Sequence, residues 1–155
     1  MNTYERMTNL GISLPVAPPS PGPFMGAIRV GNQVVISGQV PLVKETVMTV
    51  GIVGDTVSIE EGQQNARIAI LNALAQVETL VGDISKIRQF VRLAGYVAAT
   101  PDFTQHGKVI DGASQLLREI FPDRWEHARI AIGVSSLPRG VPVEIELTLI
   151  VDDDN

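Results

Sequence analysis

The chain has 155 residues, 45% of them hydrophobic and 19% charged, which suits one compact domain with a core of its own. Its 17 acidic residues against 12 basic ones give a net charge of −5 with no Lys/Arg-rich run, so the electrostatic footprint of a phosphate-backbone binder is missing and nucleic acid is disfavoured as a partner. The absence of cysteine excludes a disulfide scaffold, a thiolate nucleophile and Cys-ligated zinc.

The opening MNTYERMTNL has neither a basic nor an apolar leader segment, and no stretch approaches the roughly 18 apolar residues of a membrane span. The expectation is a cytoplasmic protein with no membrane partner. Residues 1–23 read as an extended arm leading a single domain over 1–155, because five of the nine residues from Pro15 to Pro23 are proline, which fixes φ and removes backbone donors. MGAIRV, Gly31-Asn32 and QVVISGQVP together predict a β-hairpin, since a Gly/Asn pair tolerates the positive φ of a tight turn between β-branched runs. TVMTVGIVG predicts a third strand. Ser58 and Glu61 have capping-box spacing, and Ile70, Leu74, Val77 and Val81 then recur at helical intervals until Gly82. Alanines 66, 69, 73 and 75 suit that helix to close packing on a sheet.

KIRQFVRLAGYVAA predicts a long strand with Ile87, Val91, Leu93 and Val97 on one side and Arg88, Phe90, Arg92, Ala94 and Tyr96 on the other. After Thr100-Pro101, Val109, Ile110, Ala113, Leu116, Leu117 and Ile120 mark a second helix. The order β-β-β-α-β-α-β-β implies an α+β fold in which one mixed sheet carries both helices on one face. The opposite face is then either polar or packed on another subunit.

Residues 127–146, HARIAIGVSSLPRGVPVEIE, read as two apolar strands joined by a Pro/Gly turn, with charges inside them. Alternation sets Arg129 beside Ala131 and Gly133 on one face of the first strand, and Glu144 beside Glu146 on one face of the second. Small neighbours leave space before the guanidinium, whose fork matches a carboxylate. The plainer alternative is a cross-strand pair of Arg129 with Glu144 or Glu146 on a solvated face, worth about 0–1 kcal/mol; the same applies to Arg88 and Arg92. Same-face neighbours on any strand lie about 6.5–7 Å apart, so the two glutamates do not by spacing make a glycosidase pair. His127 reads as a strand-end residue or, alternatively, a general base. The two histidines, His106 and His127, are not spaced as metal ligands, so no metal is expected. Ser37-Gly38-Gln39 lacks the G-x-S-x-G nucleophile elbow.

VVISGQVP, the capped Ala-rich helix running into VGDISKIRQFV, YVAATPDF, and HARIAIGVSSLPRGVPVEIE resemble, in order and spacing, the RidA (YjgF-like) family of reactive-imine deaminases over residues 22–150. Length and the LGISLP stretch resemble a longer-chain branch of it. The resemblance implies a chorismate-mutase-like fold assembled as a homotrimer, with clefts at the subunit interfaces and no cofactor. It implies that Arg129 binds the carboxylate of a 2-iminoacid, that Glu144 holds a water near the imine carbon, and that Ser37, Gly38 and Tyr96 line the cleft. Phe24 stands where a tyrosine is typical, which removes a hydroxyl; Ala131 stands where a cysteine is common, leaving a backbone group to serve. The products would be a 2-keto acid and ammonia. A non-catalytic trimer that binds small carboxylates is the alternative, and endoribonuclease activity, attached to relatives of this family, is opposed by the acidic charge.

Overall fold

A computed structural model describes residues 1–154. Along them run α1 (Thr3–Asn9), β1 (Ala27–Val30), β2 (Gln33–Gln39), β3 (Leu42–Val43), β4 (Thr46–Val47), α2 (Ile59–Val81), β5 (Ile87–Ala98), α3 (His106–Ile120), β6 (Ala128–Val134) and β7 (Val143–Val151). Five strands form one sheet in the order β1-β2-β7-β5-β6, while β3 and β4 make a separate two-residue ribbon. All neighbours in the main sheet are antiparallel except β5 and β6. The architecture is thus α+β with a mixed sheet. Among the described residues no helix is long and apolar enough to cross a membrane.

The elements with the clearest signals form as their sequences require. Gly31, at φ +60°, turns β1 into β2. The Ser58 hydroxyl accepts from the Glu61 N–H at 3.1 Å and the Glu61 carboxylate accepts from the Ser58 N–H at 3.2 Å, satisfying two donors that a helix start leaves free. Gly82, at φ +86°, ends α2. From α2, Ala66, Ala69, Ile70, Ala73, Leu74 and Val77 enter the core, and from α3 the six residues whose spacing predicts that helix do the same. Both helices meet one face of the sheet, α2 packing over β7 and β2 and α3 over β5 and β6, with Val143, Ile145, Leu147, Leu149 and Val151 of β7 in the shared core.

Four expectations change. The stretch before the prolines is not extended: Thr3–Asn9 is a helix, closed by an Asn2/Glu5 capping box and anchored by buried Met7. At seven residues it is too short to show periodicity. TVMTVGIVG is not a third strand of the main sheet; Thr46 and Val47 pair with β3, Val53 makes isolated bridges to Val57 and Ala99, and Gly51 and Gly54, at φ +142° and +93°, break the extended run while Val53 and Val57 drop into the core. In β5, register shifts beside Gln89 and between Phe90 and Arg92 switch the faces, so Phe90 is buried and Val91 is 40% exposed. Lastly, the two strands within 127–146 are joined through the turn at Pro138–Gly140 as expected, but they are not cross-strand neighbours, because β5 lies between β6 and β7.

The helices approach closely where Gly112 faces α2: a Cβ there would collide with the Gln63 carbonyl, a backbone group that cannot swing aside. At an exposed helical site Gly→Ala stabilises by about 1 kcal/mol. Here overpacking should reverse the sign, so Gly112→Ala is expected to lower stability by about 1–3 kcal/mol, read as a fall in the urea midpoint.

Candidate functional site

β7 has two faces with different tasks. Its odd-numbered residues point to the helices, while Glu144, Glu146, Thr148 and Ile150 lie on the other side and are only partly covered. Cross-strand register sets Tyr96 opposite Glu144 and Ala94 opposite Glu146. On the other flank the pairing of β2 slips between Ile36 and Gln39, so Ser37 and Gly38 form a bulge beside the glutamates. A Cβ on Gly38 would stand 2.5 Å from Glu144 Oε2, so the missing side chain is what lets this carboxylate lie across β2. The Ser37 hydroxyl donates to the Met25 carbonyl at 2.6 Å and its N–H to the Gly26 carbonyl at 2.9 Å, tying the segment that carries Phe24 to the bulge.

Two cavities open here. One, of about 610 Å³, is lined by Phe24, Gly38, Gln39, Gln76, Arg139 and Glu144 together with the prolines at 18, 19 and 21. The other, of about 310 Å³, is lined by Gly38, Tyr96, Leu137, Glu144 and Glu146. Gly38 and Glu144 belong to both. Desolvation, reinforced by the negative charge of Glu146, raises the Glu144 carboxyl above the ordinary range. The Tyr96 hydroxyl donates to Glu146, and that bond, ahead of burial, pushes its own pKa up. A separate groove of about 400 Å³ under the proline arm, between Val16, Leu42 and Ile68, contains none of the expected residues.

Arg129 and Ala131 are elsewhere. Parallel register matches Leu93 with Arg129, Gly95 with Ala131 and Val97 with Gly133, so these β6 residues face the helices, on the opposite side of the sheet from Glu144. Neither anticipated partner of Arg129 is the real one. Its Nη1 donates to Asp111 Oδ1 at 2.8 Å and to Ser114 Oγ at 3.2 Å, and Nη2 donates to the Gly107 carbonyl at 3.3 Å. The small residues of this face make room for α3: a Cβ on Gly133 would lie 2.5 Å from His106 Nε2. The Arg129 side chain is 27% exposed, on the strand that ends the sheet. Arg88 and Arg92 are exposed. His127 is no free strand end; its ring lies between the Trp125 carbonyl at 2.7 Å and Ser114 Oγ at 3.0 Å.

One chain therefore brings together Phe24, Gly38 and Glu144, with Tyr96 alongside and Ser37 behind the bulge, but not Arg129 or Ala131. Sequence reading passed over Gln39 and Gln76, both mostly buried. Gln76 Nε2 donates to the Pro18 carbonyl at 2.8 Å and to Gln39 Oε1 at 3.3 Å, and so holds the arm as a wall of the larger cavity. A signal existed: Asn65, Asn72 and Gln76 fall four or seven residues apart on the buried stripe of α2, where polar groups need built partners. Arg139 was also missed; its φ of +58° sits in the turn after Pro138.

The sequence profile of the family described as "YjgF/chorismate_mutase-like, putative endoribonuclease" matches residues 4–143. Protein TCP17 of Trypanosoma cruzi is 33% identical over 141 residues, covering 90% of this chain and 88% of that protein. The 2-iminobutanoate/2-iminopropanoate deaminase of Dermatophagoides farinae is 31% identical over 145 residues, covering 91% and 95% respectively. Among solved structures, that of Atu1372 from Agrobacterium tumefaciens matches with a TM-score of 0.90 at 36% identity, covering 97% of this chain and 92% of that one. With the profile spanning most of its length, this chain belongs to the RidA/YjgF family and has the YjgF/chorismate-mutase-like fold.

Proposed function

We propose that this protein is a cofactor-independent deaminase that hydrolyses 2-iminoacids to 2-keto acids and ammonia, in clefts between the copies of a homotrimer. The observation that carries the reading is Glu144, a carboxyl group lying over a glycine bulge at the junction of two cavities and raised towards neutral pH by burial and by Glu146. A carboxyl so tuned suits both halves of an acid–base cycle. The D. farinae relative is named for this activity.

The chemistry needs little else. The imine carbon is already electrophilic. Glu144 takes a proton from a water as its oxygen bonds to that carbon, giving a carbinolamine, and returns the proton to nitrogen. Glu144 then takes the proton of the new hydroxyl and delivers it to the nitrogen, so that the C–N bond breaks with loss of NH3 as the C=O forms, leaving ketone, ammonia and ionised Glu144 with atoms and charge balanced. In this reading Phe24 supplies an apolar wall for the substrate's alkyl group, and Ser37 and Gly38 hold the bulge open. Tyr96 orients Glu146, Arg129 binds the carboxylate, and the Ala131 backbone completes its side of the cleft.

The cleft must join two chains, because Arg129 and Glu144 of one chain lie on opposite sides of its sheet. A second observation supports association: the face away from the helices exposes Ile28, Val30, Val35, Ile130 and Ile132, each at least 40% accessible. An apolar sheet face of this kind is the surface that further copies cover.

Ammonia release from iminoacids made in place by an amino-acid oxidase tests the reading against a protein that binds small carboxylates without turnover. Wild type should accelerate release over a protein-free control, and Arg129→Ala should lose about 2–5 kcal/mol of transition-state binding, the range for truncating a desolvated charge pair. Glu144→Gln should bind a 2-keto acid yet slow turnover. Identical curves for wild type and control would contradict the deaminase. The charge of Glu146 gives a signed pH test. If Glu144 acts ionised, rate rises with pH as it loses its proton. Glu146→Gln removes a cause that raises the Glu144 pKa, so the acidic limb of the pH–rate profile should move to lower pH; an unmoved limb would assign it to another group.

A further inference from the structure

The proton positions around Arg129 follow from chemistry. His127 Nδ1 lies 2.7 Å from the Trp125 carbonyl oxygen, which can only accept, so Nδ1 carries the hydrogen. In the neutral ring Nε2 is then an acceptor, and at 3.0 Å it takes the proton of the Ser114 hydroxyl. With that proton committed, the lone pairs of Ser114 Oγ are left for Arg129 Nη1, 3.2 Å away. Asp111 takes the other Nη1 hydrogen at 2.8 Å and the Gly107 carbonyl takes one from Nη2 at 3.3 Å. Of the five guanidinium donors three are used; Nε–H and one Nη2–H remain, two donors on adjacent nitrogens such as a carboxylate accepts together.

We propose that Ser114 and His127 are positioning residues for Arg129: His127 orients the Ser114 hydroxyl, Ser114 fixes Nη1 against α3, and the fixed guanidinium offers its two free donors to a planar carboxylate. The inference rests on the reading of Arg129 as the substrate's carboxylate anchor. It adds residues to that anchor which touch no substrate themselves. Ser114 is on α3 and His127 precedes β6, so the arrangement ties the edge strand to the helix it packs on and removes rotamer freedom that Arg129 would otherwise lose on binding. The Asp111 carboxylate neutralises much of the charge, and the hydroxyl adds direction without adding charge.

Two measurements test this. On wild-type protein, ¹⁵N NMR of the imidazoles should show the neutral His127 ring protonated at Nδ1 and accepting at Nε2; a neutral ring protonated at Nε2 overturns the proposal. In the second, Kd for 2-oxobutanoate and KM and kcat for 2-iminobutanoate are measured for Ser114→Ala, His127→Ala, Ser114→Thr and Arg129→Ala. Ser114→Ala and His127→Ala should each raise Kd and KM about five- to tenfold, the scale of one hydrogen bond to a charged group, with kcat within about twofold. Combined they should cost no more than either alone, because they act in series. Ser114→Thr, which keeps the hydroxyl, should restore affinity, and Ser114→Ala should add nothing in an Arg129→Ala background. Unchanged affinity in Ser114→Ala while Arg129→Ala abolishes binding overturns the positioning role and leaves the anchor standing. Unchanged affinity in Arg129→Ala overturns both.

Discussion

The structure depends on the two-sidedness of β7. This strand is the middle one of five, and its alternation is unbroken from Val143 to Val151. Every second residue fills the layer between sheet and helices, so register cannot slip without exposing Val143, Ile145, Leu147, Leu149 and Val151 together. Each of those apolar side chains costs about 1.5–3 kcal/mol to expose. The same constraint fixes where Glu144 and Glu146 go. They must leave the opposite face, next to each other, and burial together with the charge of Glu146 raises the Glu144 carboxyl where Tyr96 and the bulge of β2 close around them. Core packing thereby pins the chemistry.

Much of this was legible. The capping box and apolar period of α2, the Gly31-Asn32 turn and the alternation of β7 each follow from local rules, and the structure keeps all three. The glutamates' shared face was readable for the same reason. What could not be read was the partner of Arg129. Alternation says that Arg129, Ala131 and Gly133 share a face, but only the sheet order says that β5 separates them from β7, and only the parallel register says that the face is the helix side. Cross-strand neighbours are non-local, and a short connection such as the one around Pro138 is as compatible with crossing over β5 as with a hairpin. The bulges in β5 hid Phe90 from the same alternation. Gln39 and Gln76 escaped because a buried amide is informative only once its partners, here the Pro18 and Ser37 carbonyls, are known.

The separation of Arg129 from Glu144 is also the feature with the widest consequence. A small 2-iminoacid has its carboxylate one bond from its imine carbon, so a cation and a base that serve both must be close together. In one chain they are divided by the thickness of the sheet, and Arg129 is on its edge strand while Glu144 faces an apolar surface that has no cover of its own. Association would solve both problems at once, burying the apolar face and delivering one chain's arginine to another's glutamate. Stability and catalysis would then share an interface.

Subunit mixing tests that claim most directly. Arg129→Ala and Glu144→Gln chains, each inactive as a pure assembly, are dissociated, mixed in equal amounts and reassembled, and ammonia release is measured. If each cleft takes Arg129 from one copy and Glu144 from another, random mixing restores about a quarter of wild-type activity, from the clefts in which both intact residues meet. If the mixed assemblies form and stay inactive, arginine and glutamate act within one chain, and the account of a shared cleft is wrong.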